Sequence, residues 1–120
     1  MGAERIGHGI QSINDPQVLS LLISHGTMLE VCPSSNVLCN GVPNMKSHPV
    51  RKLFDLGVKV CVNTDDPGVF HGVTMPSEMQ NLALYHQFSL QELRLINRQA
   101  LQASFISEDK KLALMKKFAF

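Results

Sequence analysis

An α/β fold with parallel strands is what this sequence predicts. Two observations carry that expectation: short apolar runs alternate with stretches of helical period, and residues that start and stop helices stand between them in the right order. A third sets the scale. With 120 residues, 44% hydrophobic and 18% charged, the chain has the size and balance of one globular domain over 1–120, not of a linker, a fibre or a disordered tail.

Arg5 to Ile10 is the first short strand, and it carries two glycines. Asp15 then offers an N-cap oxygen, Pro16 suits the first helical position, and Val18, Leu19, Leu22 and Ile23 form an apolar face that Gly26 ends. Met28 to Cys32 is a second strand. The Ser-, Asn-, Gly- and Pro-rich stretch from Pro33 to Ser47 reads as a loop long enough to be functional. Ser47 is placed to cap a helix with Pro49 in its first turn and Val50, Leu53, Phe54 and Leu56 on its face, ending at Gly57. In the third strand Val58, Val60 and Val62 alternate with Lys59, Cys61 and Asn63, and Pro67 and Gly68 close it. Ser77 to Phe88 reads as a helix. Ser89 and Glu92 stand at capping-box spacing ahead of Leu93, Ile96, Ala100 and Leu101. A last amphipathic helix from Ser107 has Leu112, Met115 and Phe118 on one side and Lys110, Lys111, Lys116 and Lys117 elsewhere.

Composition excludes several functions. The formal net charge is +1, so no strong field is available to hold nucleic acid or an anionic membrane, and the Lys-rich last helix reads as a solvated face. No apolar run approaches the roughly 18 residues needed to cross a bilayer, and the first five residues do not open a signal peptide. Cys32, Cys39 and Cys61 form no C-x-x-C pair and leave one over, which suits reduced thiols in the cytoplasm.

Strands separated by helices make βαβ units, whose right-handed crossovers bring the C-terminal strand ends to one rim, where ligands bind in such folds. Three polar groups fall there: His8 in Ile-Gly-His-Gly, the Cys32-Pro33-Ser34-Ser35-Asn36 turn, and Asn63-Thr64-Asp65-Asp66-Pro67. A carboxylate is a suitable ligand for Zn²⁺, and an imidazole beside a metal-activated water can orient it, so His8 and Asp65 make a plausible site. Singly, each has a plainer reading: a hydrogen-bonded structural histidine, and carboxylates that cap a turn. Cys32 and Cys61 read as small buried hydrophobes, and His25, His48, His71 and His86 as surface or capping residues, with His48 beside a helix start.

Taken together, Glu4-Arg5-Ile6-Gly7-His8-Gly9, Leu29 to Asn36, His48-Pro49 and Val62 to Pro67 resemble the adenosine deaminase family of zinc hydrolases, over nearly the whole chain from Gly2 to about Phe105. The resemblance implies the C-terminal portion of a (β/α)₈ TIM-type barrel, with the sixth, seventh and eighth strands and the closing helices. It implies that His8 positions the zinc-bound water, that Asp65 ligates Zn²⁺, and that Asp66 hydrogen-bonds the purine ring. The implied reaction is hydrolytic deamination of adenosine or a related 6-aminopurine nucleoside, giving inosine and ammonia. Adenine or a modified adenosine is the alternative substrate.

The family also uses an H-x-H pair and an H-x-x-E segment, which supply three zinc histidines and a proton-donating glutamate; neither pattern occurs in these 120 residues. The chain alone is therefore expected to bind catalytic zinc poorly and to be inactive, with a missing N-terminal half supplying those groups, and with its exposed sheet edge and face covered by that half or by self-association. A truncated frame, an internal start or a split gene would each give such a chain. A non-catalytic remnant serving as an assembly module is the competing reading.

Overall fold

Parallel pairing in chain order organises the molecule. The computed structural model describes residues 2–118. Strands β1 (Arg5–Gly7), β2 (Met28–Val31) and β3 (Val60–Val62) form one sheet in the order β1-β2-β3, with Ile6 beside Leu29 and Leu29 beside Val60. Each parallel step needs a crossover. Helix α1 (Pro16–His25) joins β1 to β2, while α2 (Pro33–Leu38) and α3 (Val50–Asp55) lie between β2 and β3. After β3 come α4 (Met75–His86), α5 (Leu90–Gln102) and α6 (Glu108–Phe118).

The core lies between the sheet and these helices. Leu29, Val31, Val60 and Val62 from the strands pack in one cluster with Val50 and Leu53 of α3, Leu82 of α4, Ile96 of α5, and Phe88. Burying such a side chain contributes about 1.5–3 kcal/mol, so this cluster outweighs any single cap or ion pair in holding the strands in register. The helix ends are nonetheless specified. The Asp15 carboxylate accepts from the backbone N–H groups of Gln17 and Val18, Pro16 sits at the first position of α1, and Gly26 ends it with a φ of 64°. The Ser89–Glu92 capping box opens α5, as its spacing predicts.

Several expectations are corrected. β1 stops at Gly7 instead of Ile10, because His8 and Gly9 take positive φ angles of 55° and 65° that end an extended strand, and Ile10 opens a 3₁₀ turn. The stretch from Pro33 to Ser47 is not all loop: Pro33 starts α2 directly after β2, and Met45–Ser47 is another 3₁₀ turn. Ser47 does not cap α3; its side chain closes a capping box with Asn44, and Pro49 stands at the α3 N-cap without a side-chain bond. α4 starts at Met75, with Thr74 and Ser77 forming its capping box, and ends at His86. On α6 no described residue is buried, and Leu112 and Phe118 are exposed.

Of the histidines read as surface or capping residues, His48 does cap the start of α3, its Nδ1 accepting from the Val50 N–H, but neither it nor His86 lies at the surface. His25 and His71 are exposed or partly so, but His48 and His86 are buried at 3% and 6% exposure and pack edge to face with ring centroids 6.2 Å apart. Cys32 and Cys61 are buried free thiols, as small hydrophobes would be. Among the described residues no helix is long and apolar enough to cross a membrane.

Candidate active site

The C-terminal ends of the three strands deliver the site. The ladder continues one residue past each outer strand, where the His8 N–H donates to the Glu30 carbonyl and the Asn63 N–H donates to the Val31 carbonyl, so the following side chains are held by the sheet itself. His8 leaves β1 at φ 55° and Asp65 follows β3 at φ 61°. For residues other than glycine the left-handed region is costly and usually retained where surrounding structure enforces it, often at functional sites. The turn it produces here directs the two side chains toward each other.

His8 Nε2 lies 3.7 Å from Asp65 Oδ2. Asp65 Oδ2 also accepts a 2.6 Å hydrogen bond from the hydroxyl of Ser35, in the first turns of α2. Cys32 completes a group in which one imidazole nitrogen, one sulfur and one carboxylate oxygen lie within 4.8 Å of one another. Burial, followed by the charges of Asp65 and Glu78, pushes the Cys32 thiol up to about 12, so that it stays protonated and its Sγ donates to the Glu30 carbonyl. A cleft of about 470 Å³ opens over these groups, lined among others by Gly7, Glu30, Asn63, Thr64 and Met75.

Asp66 departs from the pair. Its Oδ1 accepts from the backbone N–H groups of Gly68 at 2.9 Å and Val69 at 3.3 Å, so this carboxylate caps the turn after β3. The turn-capping reading of the acidic pair thus describes Asp66, while Asp65 faces His8. Glu78 of α4 is fully buried; its Oε2 accepts from the Ser34 N–H, and burial pushes its carboxyl above the usual carboxylate range.

Two residues beside the pair, Ser35 and Asn36, were given no individual role by the sequence reading. Ser35 orients Asp65. Asn36 bridges the two histidines: its Nδ2 lies 3.0 Å from His8 Nδ1 and its Oδ1 lies 3.0 Å from His48 Nε2. The available signal was Pro33, since proline at a first helical position makes Ser35 and Asn36 successive residues of a helical turn rooted in the strand end.

The fit to a divalent metal can be judged from these donors. Asp65 is an oriented carboxylate at the mouth of a polar cleft, with an imidazole beside it, and that donor chemistry suits Zn²⁺ as far as this chain extends. A tetrahedral zinc needs further ligands beyond Asp65.

The family model for adenosine deaminase matches residues 1–119. The chain belongs to the adenosine deaminase family. It is 42% identical to the adenosine deaminase of Plasmodium gallinaceum over 114 residues and 43% identical to that of Clostridium acetobutylicum over 115, covering 95% and 96% of this chain but 31% and 34% of those proteins. An adenine deaminase of Rhizobium rhizogenes is 40% identical over 111 residues, covering 92% of this chain and 34% of its own length. The chain thus spans about a third of the length of the curated relatives it matches.

Solved structures agree in fold. The adenine deaminase of Arthrobacter aurescens superposes with a TM-score of 0.88 at 34% identity, covering 94% of this chain and 34% of that one. A zinc-bound amidohydrolase of Burkholderia ambifaria superposes with a TM-score of 0.79 at 28% identity over 97% of this chain and 32% of that one. The expected fold class therefore holds: the chain is an α/β partial barrel corresponding to the C-terminal part of the family.

Proposed function

We propose that this chain forms the sector of a zinc-dependent deaminase that carries the water-orienting histidine and one metal-binding carboxylate, and that the complete protein hydrolyses the 6-amino group of adenosine or a related purine nucleoside. The observation that carries the proposal is the convergence of His8 and Asp65, from two different strand ends, within 3.7 Å in a chain of this family. Asp65, steadied by Ser35, is the residue that would hold the ion. Zinc bound there would polarise the attacking water so that it ionises near neutral pH, which no lone carboxylate achieves.

The chain's own groups do the rest of the work in this sector. His8 holds a hydrogen bond to the attacking water from its Nε2, which faces the cleft beside Asp65. Asp66, at the rim, offers its Oδ2 to the purine ring while its Oδ1 caps the turn. The proton for the ring and the other metal ligands come from the H-x-H and H-x-x-E segments, and the isolated chain is inactive. Adenine is the second substrate reading, favoured by the 40% identity to an adenine deaminase. Three free thiols fit a reducing, cytoplasmic setting.

The test joins this chain to a segment supplying those two motifs and measures bound zinc together with ammonia release from adenosine, adenine and N6-modified adenosine. Zinc binding with ammonia release from one of them, abolished by Asp65→Ala and cut at least about 100-fold by His8→Ala, is the expected result. A joined protein that holds zinc yet releases no ammonia would favour a non-catalytic assembly module instead.

A further inference from the structure

The polar chain behind His8 has a direction, and one backbone group sets it. The Val50 N–H donates to His48 Nδ1 at 3.2 Å, and a backbone N–H can only donate. His48 Nδ1 is therefore unprotonated. Burial, helped by neighbouring His86, brings His48 down to about 4, so at neutral pH it carries a single ring proton, and that proton is on Nε2. Nε2–H donates in turn to its partner 3.0 Å away, which must be the amide oxygen of Asn36. The amide nitrogen of Asn36 then faces His8 Nδ1 at 3.0 Å and donates to it.

We propose that Asn36 and His48 are positioning residues that fix His8 in the tautomer with its proton on Nε2, aimed into the cleft beside Asp65, so that the backbone at the start of α3 sets which ring nitrogen meets the attacking water. Geometry gives the arrangement its reach. Asn36 and His48 are 7% and 3% exposed, so water competes weakly for either bond, whereas the outward edge of His8 remains open to the cleft. His86 braces the far side of His48, edge to face. Neither positioning residue lines the cleft over His8 and Asp65.

The catalytic consequence rests on the deaminase reading; the tautomer does not. The decisive measurement is a long-range ¹H–¹⁵N correlation spectrum of the imidazoles in the intact, histidine-labelled protein. His25, whose Nδ1 contacts the Leu21 carbonyl at 2.9 Å and must donate to it, is an internal reference for the opposite tautomer. His8 and His48 are expected to show the Nε2–H pattern and His25 the Nδ1–H pattern. An Nδ1–H pattern at His8 in the parent protein overturns the proposal, without needing any variant to fold.

Asn36→Asp, which replaces the donor with an acceptor, is expected to turn His8 to the Nδ1–H form and to lower kcat by about 10–100-fold with KM changed less than about twofold. His48→Gln keeps a donor toward Asn36 and should retain the parent His8 pattern and most of kcat; His48→Leu should lose both. If Gln and Leu behave alike, His48 merely fills space and the proposal fails. If the spectra come out as expected while no aminopurine releases ammonia, the positioning inference stands and the deaminase reading falls.

Discussion

At the scale of single residues, the site is a set of hydrogen bonds whose partners come from different strand ends. Ser35 Oγ donates to the oxygen of Asp65 that faces His8, so Ser35→Ala would free the carboxylate to rotate. Zinc affinity of the joined protein is then expected to fall by about 10–100-fold, read by competition with a chromophoric chelator, with the unfolding midpoint nearly unchanged. His48 makes a separate, pH-dependent contribution. Its folded value near 4 lies below the ordinary 6.5, so the unfolded chain binds more protons between those values. The stability due to neutral, buried His48 is thus complete above about pH 6.5 and lost progressively as pH falls toward 4, about 3 kcal/mol in all. Urea titrations across that window should show a shallower pH slope in His48→Gln. The slope should persist in part, because burial lowers His86 in the same direction.

At the scale of elements, the balance lies with packing. Arg51 of α3 bonds to Asp55 and to Glu92 of α5 and stacks over Phe88 at 4.4 Å, but these groups are largely solvated and guide the docking of α3 on α5 more than they stabilise it. Ile96, fully buried where α5 meets the sheet, is the stronger attachment. Ile96→Ala is expected to cost about 2–5 kcal/mol in chemical denaturation, whereas Leu90→Ala, at the 65% exposed first position of the same helix, should stay within about 0.5 kcal/mol. The elements that were legible in the sequence are those with enough length for a period and a side-chain cap: α1 with Asp15, α5 with Ser89 and Glu92, and β3 with its alternating valines. α2 was not, because its run Ser34-Ser35-Asn36 shows no apolar face and Ser and Asn favour turns when nothing else decides, whereas the equally short α3 displays Val50, Leu53 and Phe54. With α2 hidden, the bonds of Ser35 and Asn36 were hidden too. His8 and Asp65 were legible because parallel topology gathers strand ends whatever the loops do; the capping role of Asp66 was weighed but only turn geometry could separate it from Asp65.

At the scale of the whole molecule, the open question is what covers the outer strands. β1 and β3 are the edges of the sheet, and Ile6, Val18 and Leu22 line an apolar groove of about 410 Å³ beside β1. Ile6, Val18, Leu21 and Ile23 are each between 38% and 56% exposed. Burying the exposed half of four such side chains would yield about 4 kcal/mol, roughly 1 kcal/mol each. Bringing two separate molecules together costs about 4–15 kcal/mol in lost freedom, so apolar contact alone gives only weak, concentration-dependent association between copies, with unpaired strand edges adding to it. A covalently joined segment incurs no such loss. Sedimentation of the 120-residue chain by itself should therefore show an average mass that rises with protein concentration and binding of a hydrophobic dye, while the chain joined to the segment bearing H-x-H and H-x-x-E should sediment at one mass and bind little dye. A chain that stays monomeric and dye-free at every concentration would mean that its edges and groove are already satisfied, and that the remainder of a barrel adds ligands to the site without adding stability to this sector.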